Sequence, residues 1–387
     1  MARDPILVVI FLRGGADGLA LVAPASDPDF IAARPEALRV PRQGDGAGRA
    51  IRQDIADIDF RFALAATPLA DLYDAGDLSL IHASGLTDAT RSHFDAEARI
   101  ERGLLGADLP PGDPSGWIGR WLQAAAPGGP LPALAVGAMR PASLMGATAA
   151  VAESLDDLLL GHGHWLAGAL QARLQAGFGA HAPLARPMAE LVGLSDMVRA
   201  RFWSEASGGL RPYLPTVPYP EGNALSAPLM TVARTIKSDL GMRVATVDMP
   251  GWDTHVGQTA AFPFLISTLS QALMAFWRDL GPLQQDVSVV VMSEFGRRLR
   301  SNTAGGTDHG RGNVMLVLGP QARGGRMVGA WPGLANEALD EGADLAVVTD
   351  YRQVLAELLA GHMRLADPGA VFPGFRAAPL GLWGQSL

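Results

Sequence analysis

Residues 287–313 read VSVVVMSEFGRRLRSNTAGGTDHGRGN. Val287 to Met292 is an apolar, β-branched run of strand length with almost no polar alternation, which suits a strand covered on both faces of a parallel sheet. Past Ser293 the character changes at once. Glu294, four arginines, an Asp308-His309 pair and repeated glycines make the segment from Glu294 to Asn313 too polar and too glycine-rich for core, so it reads as a loop that holds something.

The same succession of apolar strand and polar turn recurs outward from this stretch. Ile6 to Leu12 leads into Arg13-Gly-Gly-Ala-Asp17, and Leu78 to His82 leads towards Ser92 and His93. Arg243 to Asp248 leads into a loop carrying Asp253 and His255, while Leu131 to Val136 and Val314 to Leu318 are further strands. Helical spacing separates them, with a helix predicted over 92–101 and a long amphipathic one over 262–280, where Leu265, Leu269, Leu273 and Phe276 share a face. Asp350 is placed to cap a final helix, and Gly324 to Leu334 reads as a hairpin or loop. Alternation of this kind predicts an α/β protein with a mostly parallel sheet. The chain is read as a single domain over 1–387, with a mostly helical insertion over 151–220.

The 387 residues are 48% hydrophobic and 18% charged, an ordinary globular composition. A net charge of −8 argues against nucleic acid or an anionic membrane as partner. No cysteine is present, which excludes disulfides, thiolate metal sites and a thiol nucleophile. No apolar run reaches the ~20 residues of a membrane span. The run near the N-terminus passes into a polar turn without a cleavage site or twin arginine, so the sequence alone predicts a cytoplasmic protein.

Ligands in parallel sheets gather beyond the carboxyl ends of the strands. Asp17, Ser92 with His93, Asp253 with His255, and Glu294 each follow a predicted strand, and Asp308 with His309 closes the loop after the last of these. Carboxylate and imidazole suit a divalent zinc-like or manganese-like ion rather than magnesium or calcium. Each residue also has an ordinary structural reading. Asp17 is a ligand or a turn former, and Glu294 meets a metal or pairs with Arg297 or Arg298. Ser92 is a nucleophile or the N-cap of the helix it opens, and His93 a ligand, a base or a helix-surface residue. Arg13 and Arg311 hold an oxyanion or pair with loop acids. Gly161-His-Gly-His164 is read as a loop within the insertion, and no G-x-S-x-G elbow is present.

FLRGGADGL, TRSHFDAE, PGWDTH, VVVMSEFGRR and GTDHGRGNVMLVLG resemble, in order and spacing, the bacterial family catalogued as domain of unknown function 1501. That family is similar to the alkaline phosphatase and sulfatase superfamily. The resemblance implies a three-layer α/β/α fold, one or two metal ions at the strand ends and a Ser or Thr nucleophile at a helix N-terminus. Carried over, it makes Asp17 the first-strand ligand and Ser92 the nucleophile. Asp253, His255 and His309 would hold one ion, with Glu294 on another. The superfamily usually shows Asp-x-x-x-His where this chain has Asp253-Thr-His255, and Asp-His where it has Glu294-Phe295, so His93 is the residue left to complete a second site.

The expected activity is metal-dependent hydrolysis of a phosphate, sulfate or related ester, carried by a small molecule or a polymer. Arg297 or Arg311 would stabilise charge on the ester oxygens. The alternative is a non-catalytic member of the fold that serves as a binding or assembly partner of another protein. Relatives often carry a twin-arginine signal, which makes export the alternative to a cytoplasmic location.

Overall fold

The computed structural model describes residues 3–105, 113–161, 164–178, 183–319 and 324–383. Its centre is the strand Ile6–Leu12, in which every residue is buried. Successive side chains of a strand point to opposite faces. Ile6, Val8, Ile10 and Leu12 accordingly join one core cluster, whereas Leu7, Val9 and Phe11 join another. Helices Thr67–Asp74, Ser226–Lys237 and Gln258–Leu280 cover the first face. His93–Arg102, Trp117–Ala125 and Tyr351–Gly361 cover the second. The result is the expected three-layer α/β/α arrangement.

Among the described residues the sheet has nine strands. Ile6–Leu12 runs parallel to Val244–Met249 on one side and to Val287–Ser293 on the other. Beyond Val244–Met249 lie Ala133–Val136 and Ala150–Ala152, also parallel. Beyond Val287–Ser293 lies Asn313–Leu318, antiparallel to it and to the next strand, Leu78–Gly85. A parallel return needs a crossover, commonly a helix. Between Ser293 and Asn313 the chain makes only the small hairpin Arg297–Ser301 with Thr307–His309, so Asn313–Leu318 comes back the other way.

Two expectations are refined. Gly324 to Leu334 is the loop and not the hairpin of the two alternatives, except that Arg326–Val328 adds in parallel to Leu78–Gly85, at a length too short to show a period in the sequence. The long helix begins at Gln258, about a turn before Phe262. Within 151–220 the chain forms the helices Ala167–Phe178 and Ala185–Phe202. His162 of the Gly161–His164 segment lies outside the described residues.

The strand that leads towards His93 carries a buried imidazole of its own. His82 accepts from the Ala83 amide at Nδ1, and its Nε2 donates to the Val22 carbonyl at 2.9 Å, so the neutral ring is satisfied at both nitrogens. Burial pushes its pKa down to about 4 from the ordinary 6.5. Below pH 6.5 the unfolded chain takes up a proton that the folded chain refuses. The stabilisation is therefore complete above that pH and falls as pH drops towards 4, by about 3 kcal/mol. Urea unfolding of wild type and His82→Gln at pH 7 and pH 4.5 should show a smaller acid-side loss in the variant.

Candidate metal centre

Three turns that follow parallel strands meet at one place. The loop after Val244–Met249 brings Asp253 and His255, the hairpin after Val287–Ser293 brings His309, and the helix His93–Arg102 brings its first residue. Asp253 Oδ1 is 3.0 Å from His255 Nε2 and 3.1 Å from His309 Nε2, and those two nitrogens are 2.8 Å apart. His93 Nε2 is 3.5 Å from Asp253 Oδ2. His93, Asp253 and His309 each offer a ligand atom within 4.8 Å of the others, close enough to hold one metal ion.

The partners behind the rings decide what those atoms are. His255 Nδ1 lies 2.9 Å from Asp308 Oδ1, His309 Nδ1 lies 2.9 Å from the Arg91 carbonyl, and His93 Nδ1 lies 2.7 Å from Glu294 Oε1. Carbonyls and ionised carboxylates only accept, so each Nδ1 is the protonated nitrogen, and in the neutral ring Nε2 is a bare lone pair. The opposite tautomer of His309 would let Nε2 donate to Asp253 but would set a lone pair against the Arg91 carbonyl. Three bare nitrogens and a carboxylate thus face one another, an arrangement that repels itself unless protons or a cation lie between them. Burial lowers the pKa of His309, which disfavours the proton there. His93 Nε2 is buried without a hydrogen-bond partner, an orphan of the kind a ligand satisfies. The donor set fits a zinc-like or manganese-like ion.

Asp253 is held ionised. Burial works against this, but the hydrogen bond from Arg297 leads the influences that overcome it, and the pKa falls to about 2. His93 moves the other way: the hydrogen bond to Glu294 raises its pKa, so of the rings it keeps a proton most readily. Glu294 is itself fully buried and receives Gly14 N at 2.8 Å and Ser293 Oγ at 2.9 Å. Burial opposes its ionisation, and the His93 hydrogen bond is foremost in keeping its pKa low.

Arg297, 1% exposed, ties the turns together. Its Nε donates to the Gly15 carbonyl at 2.5 Å and one terminal nitrogen to the Thr307 carbonyl at 2.9 Å. The other reaches the Gly14 carbonyl, the Trp252 carbonyl at 3.0 Å and Asp253 Oδ1 at 2.7 Å. The first turn can come this close only as glycine. Gly14 and Gly15 have φ of 117° and 68°, and a Cβ would lie 2.5 Å from the Asp253 nitrogen in one and 2.4 Å from the Phe295 ring in the other.

The structure therefore brings together Asp253, His255, His309 and His93, and gives the other predicted residues different work. Asp17 is not among the ligand atoms. Its buried carboxylate is taken by Arg34, at 2.6 and 3.1 Å, and by Gln258 Nε2 at 2.6 Å. Glu294 and Asp308, expected as ligands, lie against the Nδ1 atoms of His93 and His255. Of the expected oxyanion holders, Arg297 is engaged as described, and Arg311 follows its alternative reading by pairing with an acid, Asp340, at 2.5 Å and bonding the Thr87 carbonyl at 3.1 Å. Ser92 is the N-cap, accepting from Asp95 N at 3.4 Å. Sequence reasoning missed Arg34, Gln258 and Asn302, the last of which supports Asp308 at 3.0 Å. Nothing in their spacing marks them.

Residues 223–374 match the family model described as "Protein of unknown function (DUF1501)". The matched segment contains Asp253, His255, Glu294, Asp308 and His309, and the DUF1501 resemblance read from the motifs is borne out there. Comparison with curated proteins gives no match. Among solved structures the chain is similar to Ps i-CgsB in complex with k-i-k-neocarrahexaose, at 10% identity over 98% of this chain and 76% of that one, with a TM-score of 0.41. It is also similar to the zinc complex of the C-terminal periplasmic domain of EcEptC from Escherichia coli, at 6% identity, 82% and 74% coverage and a TM-score of 0.37. Alkaline phosphatase from the Antarctic bacterium TAB5 is similar at 11% identity, 82% and 93% coverage and a TM-score of 0.35.

Two outcomes follow from these contacts. Arg34→Met leaves Asp17 buried without its main partner and should cost about 3–5 kcal/mol in chemical denaturation, with much of the loss recovered in Asp17→Asn/Arg34→Met. Asp308→Ala should weaken uptake of zinc or manganese by about 10–100-fold in calorimetry, while leaving the melting temperature of the metal-free protein unchanged.

Proposed function

We propose that this protein is a metal-dependent hydrolase of a phosphate, sulfate or related ester, borne by a small molecule or a polymer. The observation that carries the reading is the convergence of the His255 and His309 Nε2 atoms on the Asp253 carboxylate with His93 Nε2 beside them, each ring fixed from behind. Asp253, His255 and His309 would hold the ion, with His93 beside them. A divalent cation bound there would polarise an ester oxygen and lower the pKa of a water next to it.

The remaining roles belong to the chain itself. Arg297 keeps Asp253 ionised and in place, and Asp308 and the Arg91 carbonyl set the His255 and His309 rings. His93, whose pKa Glu294 raises, can carry a proton at Nε2 and deliver it to the departing oxygen. The Ser92 hydroxyl is engaged as a helix cap, so water is the attacking group in this reading.

A second reading, a non-catalytic binding or assembly partner of another protein, is favoured by one observation. The guanidiniums that would clamp an ester anion are occupied: Arg297 and Arg311 as above, and Arg13 by Glu97 at 3.4 Å, Asp248 at 3.1 Å and Glu101.

Purified protein should contain stoichiometric zinc or manganese by plasma mass spectrometry and hydrolyse at least one of a panel of aryl phosphates, phosphodiesters, phosphonates and sulfates. Asp253→Ala and His309→Ala should lose the metal and lower turnover by at least about a hundredfold. Ser92→Ala should stay within about tenfold of wild type, at about 1 kcal/mol of stability for the lost cap. Absence of metal, or a rate indifferent to Asp253 and His309, would count for the partner reading.

A further inference from the structure

A cavity lies away from the imidazole cluster, between the start of the helix Gln258–Leu280 and the segments 37–41 and 63–65. Its volume is about 390 Å³, and none of the cluster residues lines it. Leu38, Val40, Phe262 and Ile266 form its walls and are themselves 7%, 7%, 5% and 0% exposed. Walls that are already packed make a cavity preformed, and a mostly apolar lining with few polar groups is the usual character of a small-molecule site.

Two polar side chains matter. Gln258 is buried and already held at both ends of its amide, its Nε2 donating to Asp17 at 2.6 Å and its Oε1 accepting from Thr307 at 2.7 Å. Arg39 is the one charged residue in the lining. Its Nε donates to the Arg34 carbonyl at 2.6 Å, and its terminal nitrogens have no carboxylate partner among the described residues. A cavity with apolar walls and one unpaired guanidinium is complementary to an apolar body with a single anionic head, and the planar fork of arginine matches a carboxylate.

We infer that this cavity is a binding site for a medium-chain aliphatic carboxylate, with the chain against Leu38, Val40, Phe262 and Ile266 and the head group on Arg39. The site stands independently of the metal centre and does not rest on the hydrolase reading.

Isothermal titration of the full chain with octanoate, decanoate and 1-octanol tests it, with melting curves to confirm folding of each variant. Octanoate and decanoate should bind saturably at one per chain, decanoate about tenfold tighter for its two additional methylenes. Arg39→Gln should weaken both carboxylates by about tenfold and leave 1-octanol unchanged. Ala65→Leu, which fills the cavity, should abolish all three. Asp253→Ala should bind decanoate as wild type does, so failure of the metal reading leaves this result standing. Absence of saturable binding below millimolar decanoate, or affinities that neither Arg39→Gln nor Ala65→Leu alters, would overturn the assignment.

Discussion

The site depends on a buried guanidinium. A charged group taken out of water is costly unless every donor finds an acceptor, and Arg297 meets that condition with four backbone carbonyls and Asp253. Those carbonyls belong to three turns that follow, or lie beyond, the strands Ile6–Leu12, Val244–Met249 and Val287–Ser293. The sheet delivers the turns to one edge, and Arg297 fixes them in register with one another. Asp253 is thereby held in place beside the imidazoles and kept ionised by the same contact.

Behind the imidazoles stands a layer of acceptors. Asp308, the Arg91 carbonyl and Glu294 each accept a hydrogen bond from the Nδ1 of a ring, which turns the Nε2 atoms of His255, His309 and His93 inward. Phe295, 2% exposed, packs its ring 4.9 Å from His93 and 4.8 Å from His309, so an apolar surface supports both imidazoles at the place where the resembled superfamily usually has histidine. One carboxylate, Asp253, faces the rings, while two further carboxylates and one carbonyl fix the rings from behind.

The strands were legible because long β-branched runs ended by glycine and acid have few other readings, and the capped helices at Ser92 and Asp350 were legible from their local chemistry. The direction of Asn313–Leu318 was not, since it depends on what the chain does between two apolar runs and not on the runs themselves. Among the site residues the D-x-H pair and His309 could be picked out by type and position. Asp17 could not be told from a ligand, because an acid after a parallel strand looks the same whether it meets a metal or Arg34. The distinguishing partners lie elsewhere in the chain and approach only in the fold. The same holds for Glu294 and Asp308: their types announce a metal site, but only distances show that a ring stands between them and it.

The most direct test of the central claim is long-range proton–nitrogen NMR of the histidine side chains at neutral pH, recorded before and after one equivalent of zinc. The account predicts the Nδ1–H tautomer in His255 and His309 of the metal-free protein, and a large shift of their Nε2 resonances on adding the metal. Protonated Nε2 in these rings, with resonances that zinc leaves in place, would contradict it.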